Sequence, residues 1–306
     1  MKKFKKLFLV FLLSLFISIS INAQAAEIRV LNGDVIEIIA DCDTYEDNRA
    51  IRYGIMPLAS NITLTFNPNG GTVNPTSRLV GWNVPITSSQ LPTPTRNNRH
   101  FVDWFNTSAT SGGTRIRAGA MFTSNTTIWA RWTDSNRHNP QWWRPATSGT
   151  TTIALRNFNA NFNSTWTTPM NLAISGTNSW SRSTARVNFT TNSTSNNRVS
   201  IPRVHPSNPS ALGRIIYRER NGTNLTRFDI ELFSDTINNH VRNNANATLA
   251  NVIQSVMAHE LGHAVGLRDN PSGAPNRNDS IMNTDRQRWI RRTPSNSDIA
   301  NVNMIY

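Results

Sequence analysis

Hydrophobic and polar positions change their spacing twice along this chain. An apolar run over about 7–21 opens it, short alternating runs fill 61–134, and a spacing of three and four dominates further on. Alternation puts every second side chain on one face of a strand, so Ile62-Thr63-Leu64-Thr65-Phe66 reads as a strand and Asn67-Pro68-Asn69-Gly70-Gly71 as its closing turn. Runs at 101–105, 114–116 and 127–132, with Gly112-Gly113 as another turn, extend this into a small, mainly β module. Residues 135–150, with Asn139-Pro140 and Pro145, read as a linker or the lead-in to the next domain. Beyond it the pattern predicts a helix near 169–180, strands near 186–190, 198–203 and 228–233, and a long helix over about 247–265. On that helix Leu249, Val252, Ile253, Val256 and Met257 make one buried stripe. A last helix is expected after Thr293-Pro294, with Ser297 as candidate cap and Ile299, Val302 and Ile305 on one face. The expected class is α+β.

The opening run changes the picture of where the chain works. Lys2, Lys3, Lys5 and Lys6 precede it and Ala23-Gln24-Ala25 follow, which is the spacing of a secretory signal over 1–25 with cleavage after Ala25 or Ala26. No later stretch is apolar enough to span a bilayer, so the expected product is secreted and extracellular, in part surface-associated, without a transmembrane anchor. All four lysines lie in the leader, which leaves 27 arginines against 18 acidic residues, a formal charge of +9. Arginine is spread thinly among Asn, Thr and Ser, which argues against nucleic acid as a partner. Residues 26–60 are acidic by contrast and too few for an independent core; 35–40 reads as one strand there. Cys42 is the only cysteine, so an internal disulfide is excluded.

The order Leu64-Thr65-Phe66-Asn67-Pro68-Asn69-Gly70-Gly71, Leu91-Pro92-Thr93-Pro94-Thr95, Phe101-Val102-Asp103-Trp104 and Thr127 to Trp132 resembles the internalin-type B-repeat of bacterial surface proteins. The resemblance covers about 70 residues. It implies a small β-grasp-like module, present once over 61–134, that acts as spacer or adhesion unit toward an envelope or matrix ligand.

The chemistry sits at His259-Glu260-Leu261-Gly262-His263. Residues four apart share a helix face, so the two imidazoles can reach one ion, while Glu260 stands one step round, placed to act on a water as general base. Chance places this pattern in roughly 0.002 of chains of such composition. A catalytic zinc wants three protein ligands and an open position. No histidine follows His263 and no glutamate follows Glu260, which leaves Asp269, Asp279, Asp285 and Asp298. Gly266 can turn the chain back after the helix and favours Asp269, with Asp279 or Asp285 as alternatives.

The pattern H-E-x-x-H-x-x-G-x-x-D over 259–269 resembles the metzincin group of zinc peptidases, and its aspartate is similar to that of snapalysin-type peptidases. The resemblance implies a metzincin-like domain over 135–306: a mixed sheet, an active-site helix, a turn in which Met282 floors the metal, and a C-terminal helix. It implies one catalytic Zn2+ held by His259, His263 and Asp269, with Glu260 activating water to hydrolyse peptide bonds of protein substrates. Thr284 stands where some branches carry a tyrosine, so no tyrosyl donor is expected there. An aspartate ligand lowers the charge of the site, which predicts an activity optimum on the neutral-to-alkaline side. The strand at 228–233 is a candidate edge for holding extended substrate, and Cys42, between Asp41 and Asp43, is a candidate zymogen switch. His205 and His240 read as ordinary histidines, and Trp142, Trp143, Trp166 and Trp180 as packing. The alternative function is a surface adhesin in which the peptidase-like domain is a scaffold.

Overall fold

The computed structural model of the 306-residue chain describes residues 25–31, 35–41, 61–146, 149–270 and 276–306. The leader up to Gln24, and Cys42 with its proposed switch, lie outside the described residues. Two compact units divide the chain at Asn61 and Ile62. In the first, β1 (Ala25–Leu31) and β2 (Val35–Asp41) pair antiparallel, Ala25 opposite Asp41 and Leu31 opposite Val35. The strand expected at 35–40 therefore has a partner in its own segment.

The second unit holds two cores, one for each region read from the pattern. The first belongs to a five-stranded sheet in the order β4-β3-β7-β5-β6, built from β3 (Asn61–Asn67), β4 (Ser77–Gly81), β5 (Arg99–Phe105), β6 (Arg115–Ile116) and β7 (Thr126–Asp134). Alternation works here as expected: Ile62, Leu64 and Phe66 of β3 are buried, and their neighbours are not. β3 runs parallel to β7, and β5 lies antiparallel to β7. Trp104 and Trp132 fill this core, and each indole N–H donates to a proline carbonyl, Pro92 and Pro68, at 2.9 Å. Burying the rings therefore strands no polar group.

The C-terminal region is mixed α and β. Strands β9 (Thr151–Arg156) and β10 (Val187–Asn192) pair parallel. A second sheet has the order β11-β13-β12, from β11 (Arg198–Ser200), β12 (Gly213–Asn221) and β13 (Asn224–Leu232). The short β8 (Trp142–Trp143) adds to β13 on the side that β11 occupies. Four helices complete the region: α1 (Ser164–Ser175), α2 (Ser234–Arg242), α3 (Leu249–Ala264) and α4 (Asn296–Ile305). None of the described helices is long and apolar enough to cross a membrane.

Three expectations need correction. The strand at 228–233 is not an edge, because β13 is paired on both sides and its main chain is engaged; among the described strands β12 forms one edge of this sheet, and β11 and β8 lie on the other side. Helix α4 is capped by Ser295, not Ser297: its hydroxyl accepts from the Asp298 N–H at 3.2 Å and the Asp298 carboxylate returns a bond to the Ser295 N–H at 2.8 Å, a capping box. The single stripe expected on α3 is too narrow, since Gln254, Ser255, Ala258, Glu260, Leu261, Gly262 and Ala264 are buried as well. α3 is a central helix, covered by α1, α2 and the β12–β13 pair.

Candidate metal centre

Helix α3 starts at Thr248, whose hydroxyl accepts from the Asn251 N–H at 3.2 Å, and carries His259 and His263 on its last two turns. It ends where the sequence offers glycine. Gly266 takes φ +95°, its N–H donates to His263, and the Leu267 N–H reaches back to the Gly262 carbonyl, both at 3.0 Å. That pair of bonds is a Schellman stop, which satisfies carbonyls the helix leaves open. A side chain at Gly266 would be strained by its φ and would meet Ile305 and Trp142 at 2.8 Å. The reversal brings Asp269 back over the helix.

Three ligand atoms converge there. The Asp269 carboxylate lies 3.0 Å from His259 Nε2 and 3.5 Å from His263 Nε2, and the two Nε2 atoms are 3.2 Å apart. Each Nδ1 faces a main-chain carbonyl, His259 toward Ile281 at 2.9 Å and His263 toward Leu267 at 2.8 Å. A carbonyl only accepts, so each Nδ1 carries the hydrogen, and a neutral imidazole then points a bare Nε2 lone pair at the centre. Two lone pairs and a carboxylate at such range are placed to share a cation. Four-coordinate zinc with bonds of about 2.0–2.1 Å sets its ligand atoms roughly 3.3–3.4 Å apart, close to the observed separations. His259, His263 and Asp269 thus form a group that could hold a metal ion, and two imidazoles with one carboxylate suit zinc better than calcium or magnesium. Burial and Arg286 hold His259 down at about 3. Burial alone would raise Asp269, but its bonds to the histidines outweigh that and keep the carboxyl well below its ordinary range.

Glu260 is 4% exposed, and its carboxylate makes no hydrogen bond among the described residues. Burial pushes it up to about 7, with Asp269 adding and His263, Arg286 and Arg288 opposing. Room for this carboxylate comes from Gly213 at the start of β12, where an added Cβ would stand 3.0 Å from Glu260 Oε1 and 2.5 Å from Val256 Cγ1.

Below the histidines, Ser280-Ile281-Met282-Asn283 forms a turn closed by the Asn283 N–H to the Ser280 carbonyl at 3.3 Å. Met282 is buried against the helix turn between the two histidines, where a Cβ on Gly262 would lie 2.5 Å from its sulfur. Asp298 fixes this turn from α4: it accepts from the Ile281 N–H at 2.9 Å and from the Ser280 hydroxyl. Asp298 is therefore a buttress, and neither Asp279 nor Asp285 joins the metal group. Thr284 is exposed and bonds the Asn270 carbonyl.

Two further residues at the site escaped the sequence reading. Tyr217 on β12 donates to the His263 carbonyl at 3.2 Å, and burial pushes its phenol up to about 12, with Glu260 and Asp269 adding. Gly213 is the other; a glycine opening a strand carried no local signal for a packing role. His205 is occupied in a local turn through Ser207 and Asn208. Trp142 and Trp180 are fully buried packing residues, and Trp180 also donates to the Ala258 carbonyl at 2.9 Å.

The family profile of the Listeria-Bacteroides repeat domain matches residues 63–131. This is the β module. The match coincides with the internalin-type resemblance and ends well before the metal group. No curated protein matches the chain.

Proposed function

We propose that the chain is a secreted zinc-dependent endopeptidase, metzincin-like, with a snapalysin-like His, His, Asp ligand set. The observation that carries this reading is the convergence of two Nε2 lone pairs and the Asp269 carboxylate beside the buried Glu260. His259, His263 and Asp269 would hold a zinc ion, which when bound would supply Lewis acidity toward a peptide carbonyl and a water. Glu260 takes the proton of the attacking water and returns it to the leaving amine. The unpaired edge of β12, whose Tyr217 reaches the His263 carbonyl, suits main-chain pairing with an extended substrate.

The repeat domain supports placement near an envelope or matrix ligand, and the leader supports secretion. An adhesin with a peptidase-like scaffold would bind without cleaving. Zinc-loaded wild type and Glu260→Ala, each with its zinc content measured, are incubated with a panel of unfolded proteins. Wild type should cleave, and Glu260→Ala should keep its zinc and lose about 10²–10⁴-fold in rate. Cleavage that survives the substitution overturns the mechanism.

A further inference from the structure

Residues 135–139, expected as a linker or the lead-in to the next domain, lie along the metal loop as a short antiparallel strap. His138 bridges Leu267, the Asn139 N–H donates to the Gly266 carbonyl at 2.8 Å, and the Arg268 N–H donates to the Arg137 carbonyl at 3.0 Å. Side chains reinforce the pairing on both flanks of Asp269. Arg268 donates to the Ser135 carbonyl at 2.9 Å, and Arg137 donates to Asn270 Oδ1 at 3.0 Å. Asn270 is in turn tied to the methionine turn, through its N–H to the Met282 carbonyl at 2.9 Å and its amide to Asn283 at 2.8 Å. Asn139 donates to the Leu267 carbonyl at 3.0 Å, the same oxygen that receives His263 Nδ1–H. It also donates to the Tyr217 hydroxyl at 3.1 Å, and that hydroxyl donates to the His263 carbonyl.

The strap is rooted in the repeat domain. The Asp134 carbonyl, at the end of β7, receives the N–H groups of Arg137 and His138 at 3.0 and 2.9 Å. His138 has no exposed surface and spans from that carbonyl to the Asn301 carbonyl of α4, at 3.1 and 2.9 Å. Asp269 needs this support most, because its side chain is 55% exposed while the two histidine side chains are 12% exposed. A ligand on an open loop loses conformational freedom on binding unless its neighbours are already fixed.

We infer that Arg137 and Asn139 are positioning residues of the metal centre, so that the repeat domain helps assemble the site instead of acting as a detached spacer. The inference rests on the metal reading above. Its test uses the full chain as Arg137→Ala, Arg137→Lys and Asn139→Ala, with zinc affinity measured by chelator competition and the visible spectrum of the cobalt-substituted protein. Direct partners of ligands are worth about 10–100-fold in metal affinity; Arg137 and Asn139 act one bond further out, through Asn270 and the Leu267 carbonyl, so each alanine variant should lose about tenfold and shift its cobalt bands. Arg137→Lys, which keeps a donor toward Asn270, should recover most of the loss. Arg137 is exposed, so its truncation leaves the fold intact and decides the matter should Asn139→Ala unfold. Wild-type affinity and spectra in Arg137→Ala overturn the inference alone. A wild-type chain that binds neither zinc nor cobalt overturns the metal reading and this inference together.

Discussion

Asp298→Ala tests whether the C-terminal helix holds the floor of the site. The carboxylate is 2% exposed and accepts from the Ile281 N–H, the Ser280 hydroxyl, and both the N–H and hydroxyl of Ser295. Truncation leaves the Ser295 cap in place but removes the return bond of the capping box, from the Ser295 N–H to the carboxylate, a loss of about 1 kcal/mol. It also leaves the Ile281 N–H and Ser280 hydroxyl without their acceptor in a buried place, at about 1–3 kcal/mol each. Together these amount to about 5 kcal/mol, the middle of a range of about 3–7. At about 2–4 °C per kcal/mol for a body of this size, thermal unfolding followed by circular dichroism should shift down by about 10–20 °C. Zinc affinity should fall as well, because the Ile281 carbonyl that orients His259 belongs to the released turn. Asp298→Asn keeps one acceptor oxygen and should lose about half as much. A shift below about 3 °C for the alanine variant would refute the reasoning, since it corresponds to about 1 kcal/mol.

Gly262→Ala should destabilise the chain by about 1–2 kcal/mol in denaturant unfolding, because the new methyl meets Met282 Sδ at 2.5 Å and this overpacking exceeds the gain in helix propensity. Gly213→Ala should lower turnover at saturating zinc by about tenfold, or ~1.4 kcal/mol, with zinc content unchanged, because its Cβ presses on Glu260 and Val256. Unchanged turnover would show that Gly213 makes no room that matters. Acid should release the metal through His263. Burial opposes its charging, but the bond to Asp269 and the charges of Glu260 and Asp269 outweigh that and raise it above the ordinary imidazole range. Its Nε2 therefore takes up a proton as pH falls through neutrality and competes with the ion, while burial holds His259 down at about 3. Equilibrium dialysis that finds the same affinity at about pH 7 and pH 5 would contradict imidazole ligation.

Much of this architecture is local in origin and was legible for that reason. Alternation in Ile62 to Phe66 locates β3, the three-and-four spacing locates α3, and the absence of later His or Glu narrows the third ligand to an aspartate. Asp269, His263 and His259 do converge, with Met282 against Gly262. The rest depends on pairings between distant residues. The strap reads only as a linker or a lead-in to the next domain because its order comes from bonds to residues 266–270, over a hundred positions away, and not from any periodicity of its own. β12 was missed because an edge strand with an exposed, charged end at Arg218, Glu219 and Arg220 lacks regular alternation. Asp298 was weighed only as a metal ligand, although Ser295-x-x-Asp298 is a capping signal in its own right.

Zinc titration of the metal-free full chain, set beside the same titration of Asp269→Ala, tests the central claim most directly. The account predicts one zinc per wild-type chain and a loss in Asp269→Ala larger than the about 100-fold that an outer-shell partner brings. A wild-type chain without a zinc site, or an Asp269→Ala chain that binds zinc as tightly as wild type, would contradict it.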